Sequence, residues 1–167
     1  MTRIALASLL SLLLSACGFH LRDALTLPPD LGPVRVEARD PYSPLALSLQ
    51  QALRRAGAQV VEGQVRGVAV LDIVSERWAN TPLSVDAQGR ALEYTLRYAV
   101  FFELRDADGT VRVPQQGIEL SRDYVSPPEN TIGTESESEI LGRELRREMS
   151  AAVLRRIDAA ARGVVGE

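Results

Sequence analysis

The sequence predicts an α+β domain in the order β-α-β-β-β-α, a roughly four-stranded mixed sheet with two helices packed on one face. Three observations predict it. In residues 92–104 every even position is apolar without a miss and the odd positions are largely polar, the signature of a half-buried strand. Two other stretches carry apolar residues at helical spacing, and turn residues separate all of these segments. Four strands and two helices satisfy one another when the helices share one face of the sheet.

The elements follow in order. Val34 to Ala38 reads as a first strand. Ser43 and Pro44 read as N-cap and first residue of a helix. Its apolar stripe is Leu45, Leu49, Ala52, Leu53 and Ala56, and Gly57 ends it. This strand and helix form a crossover unit. Val68 to Trp78 reads as a second strand. In the third, Leu92, Tyr94, Leu96, Tyr98, Val100, Phe102 and Leu104 share one face, expected to be core. Glu93, Thr95, Arg97 and Glu103 make the other face largely polar, with Ala99 and Phe101 among them. Asp108-Gly109 turns the chain into a strand from Val111 to Val125, where Pro114 and Gly117 suggest a bulge or an edge. The last three strands form a meander. Pro127 and Pro128 break the chain. The closing helix is expected from near Glu135 to about Ala160, burying Leu141, Leu145, Met149, Ala152, Val153 and Ile157. Its acidic residues Glu135, Glu137 and Glu139 are expected at its positive end, and Arg155, Arg156 and Arg162 at its negative end.

The amino terminus has a different character. Arg3 is followed by an apolar run, Ile4 to Leu14, broken only by Ser8 and Ser11, and then by small residues. That is the layout of a secretory signal, and the run is shorter than the ~20 apolar residues a membrane span needs. Leu14-Ser15-Ala16-Cys17 matches the bacterial lipobox, and Cys17 is the sole cysteine. A thiol there is alkylated by a diacylglyceryl group, the chain is cut before it, and the new amine is acylated. Each buried methylene contributes about 0.8 kcal/mol, so three acyl chains anchor the chain permanently. Gly18, rather than Asp, leaves the outer membrane as the destination. The expected organisation is a signal at 1–16, a lipidated N-terminus and proline-rich linker at 17–33, one domain at 34–162 and a tail at 163–167.

Removing Arg3 with the signal leaves 18 arginines, no lysine and 22 acidic residues, a net charge of −4 with His20 neutral. Nothing in that balance suggests nucleic acid. Any anion site must use guanidinium groups, which grip phosphate or carboxylate bidentately. No catalytic pattern emerges. His20 is tied to the membrane end, and neither a serine-hydrolase elbow, a zinc motif nor a phosphate loop is present. Asp106-Ala107-Asp108-Gly109 resembles the start of a calcium loop but lacks the later ligands, so a hairpin turn is expected. No enzyme, cofactor or metal is expected.

Cys17-Gly18-Phe19-His20-Leu21-Arg22 resembles the mature start of the LptE family of LPS-assembly lipoproteins. The proline-bearing linker, the Pro44-Leu45 helix start, the Glu93-Tyr94 pair of "GRALEYTLRYAV" and the segment from Ser121 to Ile157 are similar to that family in the same order. The resemblance covers essentially the whole mature chain. It implies an α+β lipoprotein on the periplasmic face of the outer membrane. Such a protein plugs the LptD β-barrel, assists its assembly, and so serves delivery of lipopolysaccharide to the outer leaflet. It also implies lipopolysaccharide binding by basic residues near a hairpin tip and in the loop before the closing helix. Arg90 stands at that tip, a few residues from the aligned position, where Ala87 is nearer; residues 131–134 carry no basic side chain. Phe101, Arg97 and Glu103, on the polar face, are the candidate barrel contacts. His20 and Arg22 fall within reach of headgroups or the barrel rim. Two alternatives stand beside it: a different accessory lipoprotein, such as a secretin pilot or lipid-transporter companion, which would share the anchor and the fold, and a periplasmic hydrolase with an unrecognised site.

Mass spectrometry of the mature protein should find acyl chains on an N-terminal Cys17. An unmodified peptide starting elsewhere would end the lipoprotein reading.

Overall fold

The computed structural model describes residue 27 and residues 31–40, 42–126 and 131–161. The expected signal, Cys17, His20, Arg22, Arg162 and the tail lie outside the described residues. The order of elements is β1 (Val34–Ala38), α1 (Pro44–Arg55), β2 (Ala69–Val85), β3 (Ala91–Arg105), β4 (Val111–Val125) and α2 (Thr131–Ala161). One mixed sheet runs β1-β2-β3-β4. β1 pairs parallel with β2, and the other two pairings are antiparallel. That is the expected α+β architecture.

Local chemistry explains the boundaries. The Ser43 hydroxyl oxygen accepts from the backbone N–H groups of Leu45 and Ala46 at 3.2 and 3.4 Å, satisfying two of the donors a helix start leaves unpaired. Pro44 costs nothing beside it, because a first-turn N–H has no helical partner. Gly57 takes φ +89° just past the helix, a region that residues with a Cβ avoid. β2 continues seven residues past the expected end at Trp78. Asn80, Thr81 and Pro82 look like turn residues, but their pairing with Leu96, Thr95 and Tyr94 of β3 overrides them. Pro82 is accommodated because the register shifts beside it. In β4 the segment opposite Phe102 to Leu104 holds one extra residue, between Val113 and Gln116. Pro114 therefore sits in a bulge on an edge strand, where its missing N–H does least harm.

The core lies between one sheet face and both helices. α1 contributes Leu45, Leu49 and Leu53, and α2 contributes Leu145, Met149, Val153, Leu154 and Ile157. They meet Ala69, Leu71 and Ile73 of β2 and Tyr98, Val100, Phe102 and Leu104 of β3, all at most 2% exposed. The two helices touch through Ser150, whose hydroxyl donates to Ser48 at 2.8 Å. Leu31 is also buried and Leu27 packs against the core, so these two residues of the expected 17–33 linker pack with the domain.

Several expectations need correcting. Tyr94 and Leu96 are half-buried, because the helices cover only the Tyr98–Leu104 end of β3. Ala52 and Ala56 are also half-buried, while Ala46 is buried. α2 begins at Thr131, about one turn before the expected start, and its first turn holds no acidic residue and its last no basic one. Dipole effects fade within one turn, so Glu135, Glu137, Glu139, Arg155 and Arg156 do not complement the ends as expected.

Phe102→Ala should cost about 3–5 kcal/mol of stability in denaturant unfolding, since it empties a fully buried aromatic site. Glu93→Ala, on the opposite face, should cost far less; equal costs would mean the parity of β3 is wrong.

Candidate docking face and hairpin tip

Strand parity gives the sheet a second face that neither helix covers. Register places Thr81, Ala79, Arg77 and Ser75 of β2 beside Thr95, Arg97, Ala99 and Phe101 of β3. These in turn lie beside Asp123, Ser121, Glu119 and Gly117 of β4. Most of these side chains are polar, and two pairs join across strands. The Thr95 hydroxyl donates to Asp123 at 2.6 Å, and Arg97 lies 3.8 Å from Glu119. Phe101 is the apolar exception, 41% exposed. Its ring lies over Gly117: a Cβ built there would fall 2.9 Å from the ring. Gly117 is therefore a seat for Phe101 rather than part of the bulge suggested by the sequence.

The other end of this face holds a row of carboxylates. Glu37, Asp72 and Glu103 are direct partners on three adjacent strands. Glu37 pairs with Arg35 at 2.6 Å and Glu103 with Arg105. Asp72, between them, makes no hydrogen bond or ion pair among the described residues. Burial pushes its pKa above the ordinary 3.8, the charges of Glu103 and Glu37 push it further, and the Arg105 charge opposes the rise. Glu103 is only 9% exposed. Of the three expected contact residues, Arg97 and Phe101 offer surface and Glu103 offers little, because its neighbours close over it.

Arg90 is placed at the tip of the β2–β3 hairpin, as expected. It is partly engaged by its own turn: Nε donates to Asp86 at 2.7 Å, and the Arg90 backbone N–H donates to the same carboxylate at 2.8 Å. That backbone bond, helped by the side-chain bond, holds the Asp86 pKa below the usual carboxylate range. The terminal guanidinium nitrogens of Arg90 make no hydrogen bond among the described residues. The second hairpin is the turn expected at Asp108-Gly109, with Gly109 donating to the Asp106 carbonyl at 2.9 Å.

On the helix side lies a polar network that the sequence analysis did not anticipate. Tyr98 and Ser43 both donate to Glu76, each at 2.7 Å. Desolvation pushes the Tyr98 pKa well up, and the bond to Glu76 adds to it. Trp78 stacks on Tyr98 at 3.8 Å, and the Arg146 guanidinium lies 5.5 Å from the Trp78 ring centroid. A cavity of about 390 Å³ opens beside Ser43 and Glu76. A serine hydrogen-bonded to a carboxylate resembles an activated nucleophile. Here its oxygen is occupied by two backbone N–H groups and is 3% exposed in its residue. The network caps α1 and ties it to β2 and β3. A tyrosine on the buried face of β3 was the one available signal, since a buried phenol requires a partner.

The geometry defines a small two-layer α+β domain whose distinctive surface is a largely polar sheet face that neither helix covers. The family described as LptE, lipopolysaccharide-assembly, matches residues 31–157, and the chain belongs to it. It is 28% identical over 152 residues to the LPS-assembly lipoprotein LptE of Photorhabdus laumondii, covering 91% of this chain and 82% of that one. The protein of the same name from Yersinia enterocolitica is 27% identical over 158 residues, covering 91% and 73%. Two solved structures share the fold. Lipoprotein B from Nitrosomonas europaea has a TM-score of 0.73 at 24% identity, covering 89% of this chain and 95% of that one. The rare lipoprotein B from Shewanella oneidensis has 0.68 at 21% identity, covering 81% and 100%.

Asp72→Asn should raise the melting temperature at pH 7 by a few degrees. The raised folded-state pKa means that ionised Asp72 opposes folding at neutral pH. That penalty disappears as pH falls through the folded value toward 3.8, so the variant's advantage should shrink over the same range. A variant no more stable than the parent at pH 7 would show that Asp72 is not strained.

Proposed function

We propose that this chain is a lipid-anchored protein of the outer membrane's periplasmic face that plugs an LptD-type β-barrel. It assists assembly of that barrel and so delivery of lipopolysaccharide to the outer leaflet. Membership of the family, with relatives named LPS-assembly lipoprotein LptE, supports the class of function. The observation that carries the plug is the uncovered sheet face. The interior of a large membrane barrel is polar, so a plug needs a polar surface with a few apolar footholds. The Arg97–Glu119 and Thr95–Asp123 pairs supply the first, and Phe101, held up by Gly117, supplies the second. An aromatic side chain near the centre of an interface tends to dominate its energetics. Arg90, with its terminal nitrogens free of the turn, is the candidate for contact with a lipopolysaccharide phosphate.

Photo-crosslinkers at Arg97 and Phe101 should each capture one large outer-membrane barrel protein in intact cells. Depletion of the chain should leave that barrel misassembled and the cell surface leaky. Crosslinks only to small periplasmic proteins would sink the plug reading and favour an accessory role in another envelope complex.

A further inference from the structure

One edge of the sheet is unfinished. β1 pairs with β2 through its odd residues, as the bond from Ala69 N–H to the Pro33 carbonyl shows. Its even residues therefore turn their backbone groups the other way. Val34 does so and is satisfied: its N–H donates to the Gln59 carbonyl at 2.9 Å, and its carbonyl accepts from Val61 at 3.0 Å. The alternation of a strand puts the N–H and C=O of Val36 and Ala38 on that same side. No described residue supplies a backbone partner to them there. A cavity of about 630 Å³ runs along this open edge, lined by Val36, Glu37, Ala38, Ala46, Gln50 and Val61, among others. Its requirements are specific. The two backbone pairs call for an extended peptide. On the helix side, Val36, Ala38 and Ala46 are apolar. On the outer side, the carboxylate row Glu37, Asp72 and Glu103 adjoins it, and the charged residues lining the cavity itself are three carboxylates, Glu37, Glu62 and Asp72, against two guanidiniums, Arg35 and Arg39.

The chain contains a segment of that description. Phe19-His20-Leu21-Arg22 alternates apolar and basic residues with the period of a strand. Four residues, Asp23 to Thr26, separate Arg22 from Leu27, which packs against the core, and the five extended steps between them reach about 16–18 Å. We propose that residues 19–22 dock along the open edge of β1 as a fifth strand. Phe19 and Leu21 then face Val36, Ala38 and Ala46, and His20 and Arg22 face the carboxylate row. If Cys17 carries the anchor proposed above, docking shortens the tether to the residue between the cysteine and the strand. It would then hold the domain at a fixed orientation to the membrane. The docking itself does not depend on lipidation.

Hydrogen exchange by NMR on the mature chain from Cys17 tests this. The Val36 and Ala38 amides should exchange at least about tenfold more slowly in the parent than in Leu21→Pro, which removes a strand donor, and more slowly than in Arg22→Glu. The Val100 and Phe102 amides report whether each variant keeps its fold and should be unchanged. Rapid exchange of Val36 and Ala38 in the parent would overturn the proposal, as an empty edge. Protection that persists in both variants would also overturn it. If that protection grows with protein concentration, a second copy is the occupant.

Discussion

The alternation along β3 drives Tyr98, Val100, Phe102 and Leu104 beneath two helices, and the position of the other groups follows from that burial. Each large apolar side chain taken out of water contributes roughly 1.5–3 kcal/mol, far more than any surface ion pair in the molecule. The sheet cannot turn over without exposing that row. With parity fixed, Arg97, Ala99 and Phe101 must point away from the helices. Tyr98 is the polar cost of the arrangement. Its hydroxyl enters an apolar layer and needs an acceptor, which Glu76 provides while also holding the cap of α1.

The strands are longer than the helical cover. β2 has 17 residues and β3 has 15, and the far half of their hairpin extends beyond the main core. Side-chain pairs hold it together instead. Tyr94 stacks on Tyr124 at 5.6 Å, Asn80 donates to the Tyr124 hydroxyl at 2.7 Å, and Arg122 pairs with Glu148 of α2 at 2.5 Å. Such contacts are individually modest. They carry Arg90 outward on a paired ribbon rather than a loose loop, and the short Asp86–Arg90 turn closes that ribbon. A basic group is thereby held well away from the helices, exposed to solvent.

The open face has a cost. Three carboxylates stand abreast on adjacent strands, where like charges oppose one another, and the middle one makes no hydrogen bond or ion pair among the described residues. A glycine occupies a strand position where almost any side chain would strengthen pairing, because an aromatic ring from the next strand lies over it. Natural proteins trade stability for function at such places. Both features lie on the face that the helices leave bare, where a partner can use them.

The sequence by itself determined the order of the elements, the parity of β3, the N-cap at Ser43 and the hairpin turn at Asp108-Gly109. These depend on short-range periodicity and on residues whose backbone preferences act locally. Phe101 and Arg97 were readable as surface residues for the same reason. The end of β2 was not, because Asn80-Thr81-Pro82 carries local turn signals that pairing with β3 outweighs. The extra first turn of α2 was missed too. The burial of Glu103, the seat that Gly117 makes for Phe101, and the union of Ser43, Glu76 and Tyr98 depend on register between strands far apart in the chain. So does the open side of β1, which no described residue completes because β2 takes one side of a five-residue strand and residues 59–61 cover only the start of the other. Long-range pairing places these groups together, and no local pattern encodes which residue will stand opposite which.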